Sequence, residues 1–337
     1  MRTVHRLTTA LILLLTLAIP LAASGQDADK NDAYDEEMRK GDMLAMRRQF
    51  ELALQSYKKA YALKDKTSME ALFGMVVAYR GLGANKNILD LIPEATKLAG
   101  DDPKRQAAVL NAKGAALVAM ADKPSDKRLE EALTAFRGAI AANPELHSAQ
   151  MNIGVTLLKM GHDADGVEEL KTYIARAPKG PDIERAEKMI EEPRRARENF
   201  APDFSLTTKQ GEFISLADLK GKTVLLDFWG TWCKPCLMAT PGLVRLHKKY
   251  AEQGLVILGI AVNDQEDAWA AYIDKNKMEW PQFFDKTRKV VMPFAVSSYP
   301  TYIVIDPDGI IRARKSGYGM DTDDWIEHEV KRALKKK

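Results

Sequence analysis

The sequence predicts an α-helical repeat array followed by an α/β domain with a central mixed β-sheet. Two observations indicate this division. Residues 27–200 are rich in Ala, Leu, Glu, Lys and Met, whereas apolar runs of strand length first appear after Phe200. A length of 337 residues also favours two domains over one.

The charge balance argues against a polyanionic partner. The chain has 50 Lys and Arg against 47 Asp and Glu, a formal net charge of +3. A strongly basic surface, which nucleic acid binding requires, is therefore not expected. The apolar fraction of 46% and the charged fraction of 29% are typical of a soluble globular protein.

The first 25 residues have the layout of a secretory signal peptide. Their positive residues are Arg2, His5 and Arg6. An apolar segment over residues 10–18 follows, and small residues at 21–25 suit a signal peptidase. The apolar run is shorter than the roughly 20 residues that span a bilayer. We expect export, to the periplasm in a Gram-negative source; the alternative is an uncleaved membrane anchor.

Small residues, together with a larger apolar or aromatic residue and in two cases a proline, recur in a fixed order along residues 27–178. One set is Gly41, Ala53, Tyr57 and Ala60, another is Gly114, Ala132, Phe136, Ala139 and Pro144, and a third is Gly154, Gly161, Gly166, Leu170 and Pro178. This order resembles the tetratricopeptide repeat, in three or four degenerate units. The resemblance implies that helix pairs stack and that their concave face docks a protein partner. A plain helical spacer is the alternative.

The segment 179–199 separates the two parts of the chain. Gly180 and Pro181 end the last repeat, and a charged stretch interrupted by Pro193 follows. This pattern predicts a capping helix with a linker, so that the second domain covers residues 200–337.

The second domain begins with an apolar strand and alternates strands with helices. The expected strands are 222–229, 255–262, 300–305 and 310–313, and the expected helices are 235–250, 267–275 and 323–336. The turn signal Asp306–Gly309 joins the last two strands as a hairpin.

Both cysteines of the chain lie in the motif Trp232–Cys233–Lys234–Pro235–Cys236, between the first strand and the helix that follows it. A helix start offers free N–H groups and a positive dipole end, which lower the pKa of a thiol there. We therefore expect Cys233 to be the nucleophile and Cys236 to be more buried. A local structural bridge is one alternative. Half of a zinc site is another, but the histidines do not cluster near the motif, so neither metal nor other cofactor is predicted.

The run Asp227–Cys236 resembles the active-site signature of the thioredoxin superfamily. The segments 201–204 and 219–222 resemble the exported branch that serves cytochrome c maturation. The resemblance covers residues 200–337. It implies that Cys233 attacks a substrate disulfide and that Cys236 resolves the mixed disulfide. It also implies a buried proton acceptor at Asp227, a cis-proline at Pro300, and a substrate contact formed by Trp232, Tyr299 and Pro300.

Two positions depart from the pattern that this resemblance implies. The cytochrome-maturation branch often has an acid where this chain has Ala239, and thioredoxins have a Lys on the strand that corresponds to residues 255–262. Without that Lys, burial should raise the pKa of Asp227. The alternative role for Asp227 is that of a polar residue at the end of a strand.

These observations favour an exported thiol–disulfide oxidoreductase that reduces protein disulfides, with the repeats docking partners. The resemblance implies a membrane thiol-transfer protein as electron donor. One alternative is a repeat scaffold whose second domain binds without turnover. A peroxidase is the other, because the opening of residues 201–204 also occurs in peroxiredoxins, although no separate peroxidatic cysteine is present.

Overall fold

A computed structural model describes residues 22–335, with side chains from residue 29 onward. The predicted signal peptide lies outside the described residues, except for residues 22–25. The chain divides between Ala196 and Arg197 into two compact units. Of the helices described, none is long and apolar enough to cross a membrane.

The first unit is entirely helical over residues 22–196. Its helices are α1 (Ala22–Met46), α2 (Phe50–Leu63), α3 (Met69–Gly81), α4 (Asn85–Ala99), α5 (Pro103–Met120), α6 (Lys127–Ala142), α7 (His147–Met160), α8 (Asp163–Arg176) and α9 (Ile183–Glu191). Each helix packs against the next one along the chain. Side-chain caps start several of them: Ser68, for example, accepts a hydrogen bond from the backbone N–H of Ala71 at 3.1 Å.

Glycines allow the helices of a pair to approach closely. A Cβ atom on Gly41 would lie 2.6 Å from the Tyr57 ring, and one on Gly114 would lie 2.5 Å from the Phe136 ring. The aromatic residue therefore fills the space that the missing side chain leaves. The all-helical array is confirmed, while its division into tetratricopeptide repeats stays a prediction.

The segment between α8 and the second unit is mostly ordered structure. It contains α9 and a single 3-10 turn, Pro193–Ala196. Ala186, Met189 and Ala196 are buried against the core that α7 and α8 form. This segment therefore covers the end of the helical array.

The second unit has a five-stranded mixed sheet in the order β5-β4-β3-β6-β7. The elements are β1 (Ser205–Thr207), β2 (Phe213–Ser215), β3 (Thr223–Trp229), α10 (Lys234–Tyr250), β4 (Leu255–Ala261), α11 (Glu266–Lys275), β5 (Gln282–Phe284), β6 (Thr301–Ile305), β7 (Ile311–Ser316) and α12 (Thr322–Leu334). β3 and β4 are parallel, whereas β3 and β6 are antiparallel. The predicted α/β thioredoxin-like fold is confirmed. The strands β1, β2 and β5 were not predicted from the sequence.

The two faces of this sheet bury separate clusters. Alternate residues of β3 explain this, because successive side chains of a strand point to opposite faces. Leu225 and Trp229 belong to the cluster that includes both cysteines and residues of α10, α11 and α12. Val224, Leu226 and Phe228 belong to the other cluster. Asp227 therefore faces the same side of the sheet as the cysteine pair.

Candidate active site

The cysteine pair lies where β3 gives way to α10. Cys233 is the N-cap residue of α10, and its Sγ accepts a hydrogen bond from the backbone N–H of Cys236 at 3.3 Å. The two cysteines form a disulfide with an S–S distance of 2.06 Å. The structure therefore describes the oxidised form of the pair.

Both cysteines are buried, with exposed fractions of 5% for Cys233 and 4% for Cys236. We expected Cys236 to be the more buried of the two, and the oxidised structure gives almost equal values. The reason is that the disulfide holds both sulfur atoms in one apolar cluster. The motif residues between them, Lys234 and Pro235, are exposed.

The turn before Cys233 is held by the segment that follows β4. The Thr231 backbone N–H and hydroxyl both donate to the carboxylate of Asp264. The Trp232 indole N–H donates to the carbonyl oxygen of Val262 at 3.0 Å. Asp264 thus positions the turn, a role that sequence analysis missed. Its place directly beyond the second buried strand was the available signal.

The predicted substrate contact residues lie together at the end of the sheet where the active-site turn begins. Trp232 is 52% exposed, and its ring lies edge-on to that of Tyr299, with centroids 5.4 Å apart. The Tyr299–Pro300 peptide bond is cis. The carbonyl oxygen of Pro300 accepts from the backbone N–H of Gly317 at 2.8 Å. Because Thr301 pairs with Phe228, Pro300 lies at the end of β3 that leads into the active-site turn.

Asp227 is a buried carboxyl in the centre of the sheet, with an exposed fraction of 3%. Its neighbours in register are Gly259 on β4 and Tyr302 on β6. Desolvation raises the pKa of Asp227 to about 7. The predicted direction therefore agrees with the structure. A carboxyl with this pKa populates both its neutral and its charged form near neutral pH.

Sequence analysis did not identify two buried polar side chains that lie in register with Asp227 across the sheet. The Tyr302 hydroxyl is buried without a hydrogen-bond partner among the described residues, and desolvation and the charge of Asp227 raise its pKa. Gln282 is fully buried, and its Oε1 accepts from the Trp229 indole N–H at 3.3 Å. Both lie on strands remote in sequence from Asp227, so no local motif links them to it.

A C-x-x-C pair at the start of α10, on a sheet of this order, defines a thioredoxin-like thiol–disulfide oxidoreductase. Residues 198–314 match the AhpC/TSA family. Thiol-disulfide oxidoreductase ResA of Bacillus thuringiensis (strain Al Hakam) is 35% identical over 132 residues, covering 39% of this chain and 75% of that protein. The chain therefore belongs to the family of ResA thiol–disulfide oxidoreductases.

Two further similar proteins carry names of the same class. Thioredoxin-like protein YneN of Bacillus subtilis (strain 168) is 42% identical over 117 residues, which are 33% of this chain and 66% of that protein. A solved thiol:disulfide interchange protein of the thioredoxin family from Chlorobium tepidum TLS is 31% identical. That similarity covers 41% of this chain and 97% of the solved chain, with a TM-score of 0.38.

The protein is therefore an oxidoreductase, and this prediction is confirmed. The peroxidase alternative would require a peroxidatic cysteine outside the C-x-x-C motif. The sequence contains two cysteines, and both form the single disulfide. A peroxidatic cysteine outside the C-x-x-C motif is thus lacking from the whole sequence.

Proposed function

We propose that this protein reduces disulfides of exported protein substrates through the dithiol form of Cys233 and Cys236. The observation that carries the proposal is the position of Cys233 as N-cap of α10, where its sulfur already accepts a backbone N–H. That hydrogen bond and the helix dipole favour a negative charge on the sulfur, and the thiolate is the attacking species.

The exchange proceeds in two displacement steps. The Cys233 thiolate attacks one sulfur of the substrate disulfide, forms a mixed disulfide and releases the other substrate sulfur as a thiolate. Cys236 then loses its proton and attacks the Cys233 sulfur, which releases the second substrate thiolate. Two electrons pass to the substrate, and the Cys233–Cys236 disulfide of the described form results.

Asp227 is proposed as the acceptor of the Cys236 proton. Its carboxyl is on the face of the sheet against which the cysteine pair packs, and its pKa is about 7. General base catalysis is most effective when the pKa of the base is close to the working pH. The thiol of the resolving cysteine is therefore matched with a base that can hold and release a proton near neutrality.

We further propose that Trp232, Tyr299 and Pro300 form the contact for the substrate chain. Trp232 is 52% exposed beside Tyr299, and Met238 on α10 is 58% exposed. Exposed apolar side chains next to a reactive group indicate a surface for a partner. A substrate segment that covers them would bring its disulfide next to Cys233.

The direction of electron flow and the compartment rest on the sequence. The resemblance to the cytochrome-maturation branch implies a reductant, recharged by a membrane thiol-transfer protein. The layout of the first 25 residues supports export. A family member in an oxidising compartment needs an electron donor, because each turnover oxidises its dithiol to the disulfide.

The helical unit is proposed to dock a protein partner, with the domains divided as residues 27–178, 179–199 and 200–337. A groove between α5, α6, α7 and α9 is lined by apolar residues that include Ala115, Val118 and Val155. Asn152, Lys159 and Arg185 line it as well, and its lining residues, all described, include no carboxylate. The positive charges of Lys159 and Arg185 favour an acidic segment of the partner as the occupant of the groove.

The reduction potential of the Cys233–Cys236 couple tests the proposed direction. The full chain is equilibrated with glutathione buffers of known ratio, and free thiols are counted by alkylation and mass spectrometry. A potential more negative than about −230 mV supports a reductant, whereas one near the −120 mV of a strong oxidant, roughly that of DsbA, contradicts it.

A further inference from the structure

A row of four residues in register, three of which have polar side chains, crosses the sheet at the level of Asp227. We call it the polar row. In register from edge to centre it contains Gln282 on β5, Gly259 on β4, Asp227 on β3 and Tyr302 on β6. The neighbouring positions on the same face are apolar: Leu225, Trp229, Ile257 and Ala261 all belong to the cysteine cluster. A buried polar row of this kind requires an explanation, because burying unpaired polar groups is unfavourable.

The Gln282 side chain extends over Gly259, the residue that pairs with Asp227. A Cβ atom on Gly259 would lie 2.1 Å from Oε1 and 2.8 Å from Nε2 of Gln282, so the carboxamide lies above this glycine. Neighbouring strands are about 4.8 Å apart. The carboxamide is therefore about one strand spacing from Asp227, and no side chain at position 259 separates them.

The orientation of the carboxamide is fixed by Trp229. An indole N–H can only donate, and it donates to Oε1 of Gln282 at 3.3 Å. Nε2 is consequently left as the free end of the carboxamide. It is buried and has no hydrogen-bond partner in the described part of the chain.

We propose that Gln282 is a positioning residue for Asp227, whose carboxylate accepts a hydrogen bond from Gln282 Nε2 when Asp227 ionises. The proposal rests on the proposed role of Asp227 as proton acceptor and deepens it. It assigns to Gln282 and Gly259 together the place that a Lys on the neighbouring strand takes in thioredoxins. A neutral donor favours the carboxylate less than a Lys does, so Asp227 keeps a proton at higher pH.

Other groups that face Asp227 also affect its titration. Tyr302 lies opposite on β6, and Cys233 and Cys236 pack on the same face of the sheet. Lys315 follows Tyr302 in the row, on β7, but its Nζ is paired with Asp321 at 2.7 Å. Asp323 and Tyr318, near the start of α12, interact electrostatically with Tyr302. None of these groups lies on β4 or β5, the side from which Gln282 approaches.

The test follows the carboxyl ¹³C shift of Asp227 against pH in the oxidised full chain, assigned by its loss in Asp227→Asn. Gln282→Met keeps the side-chain length but removes the donor. The titration midpoint should then rise by about one to two pH units, because a hydrogen bond to a charged group is lost. Gly259→Ala should raise it too, because the new methyl group displaces the carboxamide.

A double-mutant cycle separates this coupling from a general loosening of the core. Gly259→Ala combined with Gln282→Met should raise the midpoint no further than Gln282→Met alone, since both remove one interaction. Tyr302→Phe, the matched control on the opposite strand, should add to Gln282→Met independently. Thermal unfolding shows whether Gln282→Met and Gly259→Ala fold. If the midpoint is unchanged in a single variant that folds, the proposal is overturned.

This readout does not depend on turnover. If Asp227→Asn leaves thiol exchange unaffected, the proposed role of Asp227 as base fails, while the titration still reports whether Gln282 is coupled to it. If exchange slows in Asp227→Asn but the midpoint ignores Gln282 and Gly259, the positioning role fails and the base remains.

Discussion

The Cys233 sulfur accepts a hydrogen bond from the backbone N–H of Cys236 at 3.3 Å, and Cys233 is the N-cap residue of α10. The same N–H is available to a thiolate when the disulfide is reduced. Cys236 lies inside the first helical turn and has no comparable donor in the described structure. The two cysteines are therefore expected to differ in reactivity, although their burial in the oxidised form is nearly equal.

Cys236→Ser should trap a mixed disulfide between Cys233 and a disulfide-bonded substrate, because the resolving thiol is absent. Cys233→Ser is the matched control and should trap none. Non-reducing electrophoresis followed by mass spectrometry identifies the trapped species. Preferential alkylation of Cys236 in the reduced protein near pH 7 would reverse the assignment of the two roles.

The long elements of the fold and the cysteine site could be predicted from the sequence because each produces a local pattern. β3 and β4 are continuous apolar runs, and the C-x-x-C motif follows the first of them directly. β1, β2 and β5 have three residues each, which is too short for a period to be recognised. β1 and β2 pair with each other across a short connection, whereas β5 exists through its pairing with β4, more than 20 residues away.

The polar row could not be predicted because it depends on the register between strands that are separate in sequence. Asp227 stands out because it interrupts an apolar strand, but Gln282 and Tyr302 join it through register between strands β5, β4, β3 and β6. Gly259 has no side chain, so its importance is visible only from the carboxamide that lies above it.

A fragment of residues 197–337 should fold alone and retain disulfide exchange on a small model disulfide. Both hydrophobic clusters of the sheet consist of residues from this unit alone. Circular dichroism and thermal unfolding check the fold. The exchange rate, compared with that of the full chain, should agree within about twofold, since a small substrate needs no docking surface. An unfolded fragment would show that the unit depends on the helical array.

Reversing charge in the helical groove should weaken the binding of an acidic peptide. The variant is Lys159→Glu with Arg185→Glu, and the probe is a fluorescein-labelled peptide of alternating Leu and Glu. Loss of two attractions and gain of two repulsions should raise the Kd about tenfold or more at low salt. Fluorescence anisotropy measures it.

The control that matches this change in charge is Lys171→Glu with Arg176→Glu on α8, where both cations are exposed and lie outside the lining residues. It should leave the Kd nearly unchanged. Equal weakening by both variants would mean that the peptide responds to net charge and not to the groove. Exchange on the small model disulfide should be the same in both variants.

Asp227→Asn should slow the resolving step more than the attack by Cys233. Asparagine cannot accept the Cys236 proton, and general base catalysis typically contributes on the order of 10²-fold or more. Stopped-flow exchange against pH separates the two steps, and the parent should show a dependence on a group with a pKa of about 7 that the variant lacks. Identical rates and pH profiles would leave Asp227 a structural residue.

The same substitution should stabilise the oxidised protein at neutral pH and above. The pKa of Asp227 is raised from 3.8 to about 7 in the folded state, so the folded state binds more protons between these values. Its contribution to stability is fully present below about pH 4 and is lost as pH rises through about 7. Asparagine stays neutral, so the variant should gain on the parent across this window, by on the order of a few kcal/mol.

Urea unfolding of both proteins from pH 4 to pH 8 measures this difference, and all titrations that the two chains share cancel. Asp218→Asn is the control of opposite sign. Hydrogen bonds from Ser215 lower the pKa of Asp218, so its contribution is present above the unfolded value and is lost as pH falls. That control should lose stability relative to the parent at neutral pH. If the difference between Asp227→Asn and the parent does not change with pH, Asp227 titrates alike in both states and its burial does not hold the proton.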